Sequence, residues 1–312
     1  MENSLRPDRG SLGRFVLRRL LLLIPVLFGV TFLTYGLMFL SPSDPVEMML
    51  QAQGIPVTPE VAQAMRVKMG LDRPFLEQYF AWLWRFLSGD MGVSLIDGEP
   101  VRQMLMAAAP KTLLLTATSL LVTVALSLPL GILTAVRQNR FSDYLIRFLS
   151  FLGNAMPCFL LSLLLLYLFA LRLNLLPVLA GSLPMSGRYI RQVRAAVLEQ
   201  LGQRYVSGAI SRGVRTRTVL FKSVLRNAMT TILTLLALSM GSLLGGTAAV
   251  ERIFSWRGMG YMVMDAIFMR DYPVIQAFVV WMTVLYVVIN LLTDLSYAIV
   301  DPRSRKGLGV QP

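Results

Sequence analysis

The sequence predicts an all-α membrane protein that crosses the bilayer several times, and three observations carry that prediction. Of the 312 residues, 55% are hydrophobic and only 15% are charged, against about 25% charged in an ordinary soluble domain. The apolar residues fall in blocks of roughly 20, the length a helix needs to cross a hydrocarbon core of about 30 Å; barrel strands would alternate apolar and polar residues instead. The basic residues behind the net charge of +13 gather between these blocks, where membrane proteins keep their cytoplasmic loops.

Residues 1–14 are polar and basic and read as a cytoplasmic N-terminal segment. The first span covers 15–40, from Phe15 to Leu40, with Arg14, Arg18 and Arg19 at its start. It is longer than a signal-peptide core and no small-residue cleavage site follows, so it is expected to stay as a helix with its N-terminus inside. Residues 41–110 hold five Lys/Arg against eight Asp/Glu, the balance of an external loop. Within it Phe75, Leu76, Tyr79, Phe80, Leu83, Phe86 and Leu87 recur at helical spacing beside Trp82 and Trp84. Such an amphipathic helix either rests at the membrane surface or packs on its neighbours, and the pattern leaves both open.

The remaining residues, 111–302, form the transmembrane core. A second span is expected over Thr112–Val136, with Arg137, Arg140 and Arg147 marking a cytoplasmic exit, and a third over Leu145–Leu171. Pro25, Pro129 and Pro157 are expected to kink their helices. Leu173–Arg188 is only moderately apolar and contains Pro177, Gly181, Pro184 and Gly187. Charge nevertheless demands a crossing there. The following stretch, 188–226, holds nine Lys/Arg and one acidic residue, Glu199, and would otherwise lie outside. A short or broken fourth helix is expected, continued by Tyr189–Leu198. Met229–Val250 and Val274–Val300 are the last two spans, and the tail 303–312 carries Arg303, Arg305 and Lys306 on the inner side. About six spans result, with a long cytoplasmic loop over 188–228.

Several functions are excluded by residue type. There is no histidine, and the one cysteine, Cys158, lies in an apolar block, so imidazole bases, disulfides and cysteine metal sites are absent. No Gly-x-x-x-x-Gly-Lys-Ser/Thr run occurs, so this chain does not itself cradle nucleotide phosphates. The basic loop lacks the interleaved aromatics of a nucleic-acid surface. The 18 methionines are scattered and read as packing residues. Gly241, Gly245 and Gly246 with Ser239 and Ser242 form a small-residue stripe suited to close helix packing. Asp294 within the sixth span, with Asp265, would suit a proton- or ion-coupled carrier, but pairing of Asp294 near the cytoplasmic end is the favoured reading.

The loop has an internal pattern. Ile190, Val193, Val197 and Leu201 form one apolar helical stripe while Arg188, Arg191 and Arg194 occupy another face. Gly202 and Gly213 interrupt it, and Val219, Leu220 and Val224 resume it. Helix, glycine hinge and helix make either a docking hairpin or a hairpin held on anionic lipid by its arginines; the pattern alone weighs the two equally.

The run Glu199, Gly202, Tyr205, Val206, Ala209, Arg212, Gly213 to Leu225-Arg226-Asn227-Ala228 resembles the coupling loop of ABC importer permeases, in the dipeptide/oligopeptide/nickel branch. The resemblance extends to Leu17-Arg18-Arg19-Leu20, Ser41-Pro42-Ser43-Asp44-Pro45 and Gly70-Leu71-Asp72-Arg73-Pro74. It continues through Gly89-Asp90-Met91-Gly92-Val93-Ser94, Glu251–Gly260 and Arg270-Asp271-Tyr272-Pro273-Val274-Ile275-Gln276 to Asn290-Leu291, Asp294 and Asp301-Pro302-Arg303. The chain departs from the family pattern at Thr230-Thr231, at Arg257 and in its reduced fourth span.

The resemblance implies a permease subunit of the bacterial inner membrane that does no covalent chemistry and holds no cofactor. It implies a second homologous permease, two cytoplasmic ATPases that bind ATP, an external solute-binding protein and surrounding lipid as partners. Glu199, Gly202, Tyr205, Ala209, Arg212 and Gly213 would form the ATPase contact, and loop 41–110 with Glu251–Asp271 would face the binding protein. Peptide-carrying members often have a longer insertion before the coupling loop. This chain has none, and Trp82/Trp84 and Arg270–Gln276 resemble the nickel-type members, so nickel or a metal chelate is expected ahead of di- and oligopeptides. A secondary transporter working without an ATPase is the alternative.

Overall fold

The computed structural model describes residues 9–41, 44–52, 54–165, 167 and 178–300. Regular structure among them is helical apart from one isolated bridge between Val93 and Pro100. Four helical stretches there are long and apolar enough to cross a membrane: Arg19–Phe39, Val101–Val136, Thr216–Leu236 and Tyr272–Leu292. The chain divides into two compact units, one of residues up to 112 with 257–288, the other of 113–256 with 289 onward.

The first unit holds α1 (Arg9–Phe39), α2 (Pro45–Ala52), α3 (Pro59–Met69) and α4 (Phe75–Leu87). It also holds the start of α5 (Val101–Val136), α12 (Met259–Met269) and most of α13 (Tyr272–Val300). Of the two expected fates of the Trp82/Trp84 helix, packing on a neighbour is the one seen. The inner side of α4 packs on α1: Phe28, Phe32 and Tyr35 ring Tyr79 at centroid distances of 5.3–5.8 Å, and Tyr35 meets Trp82 at 5.5 Å. Tyr79 is fully buried and its hydroxyl lies 2.9 Å from the Thr31 hydroxyl. The opposite side leaves Leu76, Phe80, Trp84 and Leu87 exposed, an apolar row fit for a membrane surface.

The motifs between the first and second spans explain one another. Asp44 accepts the Val46 N–H at 2.9 Å, capping α2 behind Pro45, and pairs with Arg66 of α3. Thr58 caps α3, Pro59 opens it, and Gly70 closes it in the left-handed conformation, the expected asymmetry of helix ends. Asp271, buried ahead of α13, accepts the Ser94 hydroxyl and the Leu95 N–H. Ser41 meets the Tyr272 hydroxyl at 2.7 Å. These polar residues fasten the connecting segments to the helices they adjoin.

The second unit contains the rest of α5, then α6 (Phe141–Ala155), α7 (Cys158–Leu165), α8 (Val178–Leu201), α9 (Arg204–Ser211), α10 (Thr216–Val219) and α11 (Leu225–Ile253). The expected third span is broken into α6 and α7. Met156, just before Pro157, is extended (φ −79°, ψ 138°), as sterics demand of a residue preceding proline. The expected short or broken fourth helix is instead one continuous helix of 24 residues, about 36 Å long at 1.5 Å per residue. Tertiary packing overrides its poor helix sequence. Ser182 and Ser186 are buried, and a Cβ on Gly187 would stand 2.7 Å from the Ser150 carbonyl of α6. A Cβ on Gly131 of α5 would stand 2.7 Å from Val193. Small residues thus let α8 lie against both α5 and α6.

Asp143 adds an electrostatic clasp to the α6–α8 contact. It is fully buried, receives the Arg194 Nε and Nη2 N–H groups at 3.0 Å each, and accepts the Asn139 N–H at 3.0 Å. Burial alone would raise its pKa. The Arg194 and Asn139 hydrogen bonds, with the charges of Arg194 and Arg147, outweigh that and hold the carboxyl below its ordinary value.

The second half of the expected third span and the tail 303–312 lie outside the described residues, as do the side chains of Asp294 and of the Ser239–Gly246 stripe.

Candidate coupling hairpin

The hairpin starts from a packed base. Val193, Val197 and Ala196 of α8, Val206 of α9, Val219, Val224 and Ala228 join Ala135 and Ile232 in one buried cluster. The stripe read from the sequence is therefore the buried face of α8. A π-helical turn, Leu220–Val224, carries the chain from α10 into α11; its extra residue per turn shifts the face that follows, burying both Val219 and Val224.

On this base α9 lies with Val206 buried and Ala209 half-buried against the cluster. Its other faces are open: Arg204, Tyr205, Ser207, Gly208, Ile210, Ser211 and Arg212 are exposed. The end of α9 is closed by glycine. The Gly213 N–H donates to the Ile210 carbonyl at 2.9 Å and the Val214 N–H to the Ala209 carbonyl at 3.2 Å. This pair of bonds requires a left-handed residue at position 213, and Gly213 has φ +80°. Gly202 differs from expectation. It has ordinary backbone torsions, and a Cβ there would meet neighbours only at 3.6 Å and beyond.

Of the six residues expected to meet the ATPase, Glu199, Gly202, Tyr205, Arg212 and Gly213 are exposed, whereas Ala209 turns half inward. Tyr205 donates its hydroxyl to Gln200 Oε1 at 3.1 Å, and Arg212 Nε donates to the Gly208 carbonyl at 3.0 Å. The sequence reading missed two side chains of this surface, Ile210 and Val214, which are 46% and 39% exposed. Ile210 lies four residues from buried Val206, on the same face by ideal helical spacing, so its exposure is shown by the fold and not by the spacing. Arginines interspersed with exposed aliphatics, on a helix whose back is fixed, present charge and apolar area together, as a protein interface does.

Comparisons with known proteins show the family to which the whole chain belongs. Residues 127–306 match the family model described as the binding-protein-dependent transport system inner membrane component, and residues 12–116 match the model of its N-terminal region. The chain is 36% identical over 321 residues to the oligopeptide transport system permease protein AppB of Bacillus subtilis, covering 94% of this chain and 99% of the relative. It is 37% identical over 303 residues to the nickel import system permease protein NikB of Staphylococcus aureus, covering 94% and 92%. The fold resembles that of a solved chain of the inward-facing MetNI methionine ABC transporter, with a TM-score of 0.58 at 16% identity over 65% of this chain and 99% of that one. The chain belongs to the binding-protein-dependent transport system inner membrane components, as a multi-pass ABC importer permease of the bacterial inner membrane and a transport component rather than an enzyme.

Proposed function

We propose that this chain crosses the membrane six times and pairs with a second, similar permease, the solute passing between the two by alternating access. Separate cytoplasmic ATPases supply the energy and an external binding protein delivers the solute. The observation that supports this best is the build of α9: an exposed arginine-bearing surface whose buried side is continuous with α5, α8 and α11. A push on α9 would therefore move those helices rather than bend a loop, because packed cores transmit displacement. Arg204, Arg212, Arg215 and Arg217 offer planar donors to carboxylates on a partner.

Nickel, as the ion or within a chelate, is the substrate we propose. Support comes from the nickel import relative and from the short link between the third span and the hairpin. With no histidine in the chain, passage of a metal already held by a small chelator suits these side chains better than relay between protein ligands. A di- or oligopeptide substrate is the second reading, supported by the oligopeptide relative at similar identity.

Uptake by the complex reconstituted with its sister permease, ATPases and binding protein tests both. Accumulation of nickel or a nickel chelate, dependent on ATP, is the expected result. Accumulation of dipeptide without nickel would move the substrate to the second reading. Uptake by this chain alone on an ion gradient would overturn the importer reading.

A further inference from the structure

We propose that the groove between α6 and α8 binds an anionic phospholipid of the inner leaflet. The groove, about 720 Å³, is lined by Tyr144, Arg147, Phe148 and Phe151 of α6 and by Arg191 and Arg194 of α8. All six belong to the second unit.

The first argument is charge. Three guanidiniums line the groove, and Asp143 is the one acidic residue between Arg137 and Leu165. Arg194 takes up both carboxylate oxygens of Asp143. Arg147 reaches that carboxylate only at 3.8 Å and lies over the Tyr144 ring at 5.1 Å, with its side chain 41% exposed. Arg191 donates to the Ser150 carbonyl at 3.5 Å, a neutral acceptor. Two positive charges therefore stand at the groove unbalanced by a carboxylate. A guanidinium at the edge of a low-dielectric region calls for an anion there.

The second argument is shape and depth. Phe141, Tyr144, Phe148 and Phe151 form one exposed aromatic row along α6 (82%, 53%, 61% and 64%). From Tyr144 to Phe151 the helix advances about 10 Å, away from the basic α5–α6 turn and toward the bilayer interior. The Asp143–Arg194 end of the groove adjoins the α5–α6 turn that carries Arg137 and Arg140, which the charge rule assigns to the inner side. Arg147 and Arg191 stand further along it, Arg191 reaching the Ser150 carbonyl. A soluble anion would use the arginines and leave the aromatic row in place of nothing. A phospholipid satisfies both: its phosphate meets Arg147 and Arg191, which bind phosphate oxygens in a planar fork, and its acyl chains lie along Phe148 and Phe151. Basic pockets between spanning helices on the cytoplasmic side commonly take such head groups. The site would fix α6 against α8 beside the Ser150 carbonyl, which both Gly187 and Arg191 approach.

The test uses the intact importer complex, purified and examined by native mass spectrometry with phosphatidylglycerol, cardiolipin or phosphatidylethanolamine added in nanodiscs. Retained phosphatidylglycerol or cardiolipin, and not phosphatidylethanolamine, is expected on this subunit. Arg147→Gln with Arg191→Gln should weaken that retention by about tenfold or more, while Arg140→Gln, outside the groove, should change it little. The pair of substitutions spares Asp143 and Arg194. Should the double variant fail to assemble, a photoreactive phosphatidylglycerol added to the unaltered complex must label the peptide 141–155. Displacement of the lipid by excess inorganic phosphate would instead identify a soluble-anion site. That result, retention blind to head-group charge, or protein crosslinks from Phe148 in place of lipid ones would each overturn the assignment.

Discussion

Gly213→Val is expected to abolish coupled uptake while leaving the subunit in the membrane. Position 213 sits at φ +80° at the end of α9, a conformation costing an L-residue about 1–2 kcal/mol, and more for a β-branched one. Valine there breaks the paired bonds from positions 213 and 214 to the Ile210 and Ala209 carbonyls, so α9 loses its fixed end. Nothing lies within 4 Å of a Cβ at 213, so the penalty comes from the backbone alone. Asparagine, which tolerates the left-handed region, should retain much of the activity. Each 1.4 kcal/mol of strain depletes the competent loop by about tenfold. Uptake and ATP hydrolysis measured together in proteoliposomes check this. Valine should separate the two, hydrolysis continuing without uptake, and normal uptake by the valine variant would remove the hairpin from the mechanism.

Asp143→Ala is the second large effect expected. It leaves Arg194, only 16% exposed at its side chain, without its carboxylate, and removing one partner of a buried pair costs about 3–5 kcal/mol. Loss of folded protein in a detergent heating series measures this. Asp143→Leu with Arg194→Met should recover most of the loss, since apolar replacement of a buried pair is often neutral. The pH dependence has a definite sign. Because the folded carboxyl is held below its ordinary value, its contribution is complete above an unfolded pKa of about 3.9. It is lost only as pH falls from there through the lower folded value. Asp143→Asn should therefore flatten the stability profile below about pH 4 and leave its shape between pH 5 and 8 unchanged.

Much of the fold could be read from apolar blocks because lipid imposes one rule on every exposed spanning surface. Leu21, Ile24, Leu33 and Leu37 of α1 are exposed apolar side chains of this kind. The break at Met156-Pro157 was legible as well, from the steric rule before proline. The fourth helix was harder. Gly181, Pro184 and Gly187 signal interruption locally, but the closeness of Ser150 and Gly131 makes small residues an asset at that position, and this is a tertiary fact. The segment 41–110 was read too simply. Three helices occupy it, and the Thr58-Pro59-Glu60 start and Gly70 stop of α3 were available as capping signals. The second span reaches back to Val101 because Val101, Leu105, Ala108 and Ala109 are buried against Met259, Ala266, Val274 and Ala277. Arg102 and Lys111 concealed that in the sequence.

The hairpin was legible in its charge and glycine content and less so in its faces. The turn at Gly213 followed from residue type, since few other residues accept that torsion. Ala209 was read as a surface residue and packs half inward, while Ile210 and Val214 went unnoticed. Ideal spacing puts both Ala209 and Ile210 near the buried Val206, so only the seating of α9 on its base separates them.

Cysteine crosslinking from α9 tests the central reading most directly. Ser207 is exposed on that helix, and Cys158 is the one natural thiol, so Ser207→Cys in a Cys158→Ser background gives a single reporter. In membranes holding the whole importer, this thiol should form an adduct with an ATPase subunit, in a yield that changes with bound nucleotide. Labelling of the same cysteine from outside the cell by an impermeant reagent, with no ATPase adduct under any nucleotide, is the outcome that contradicts it.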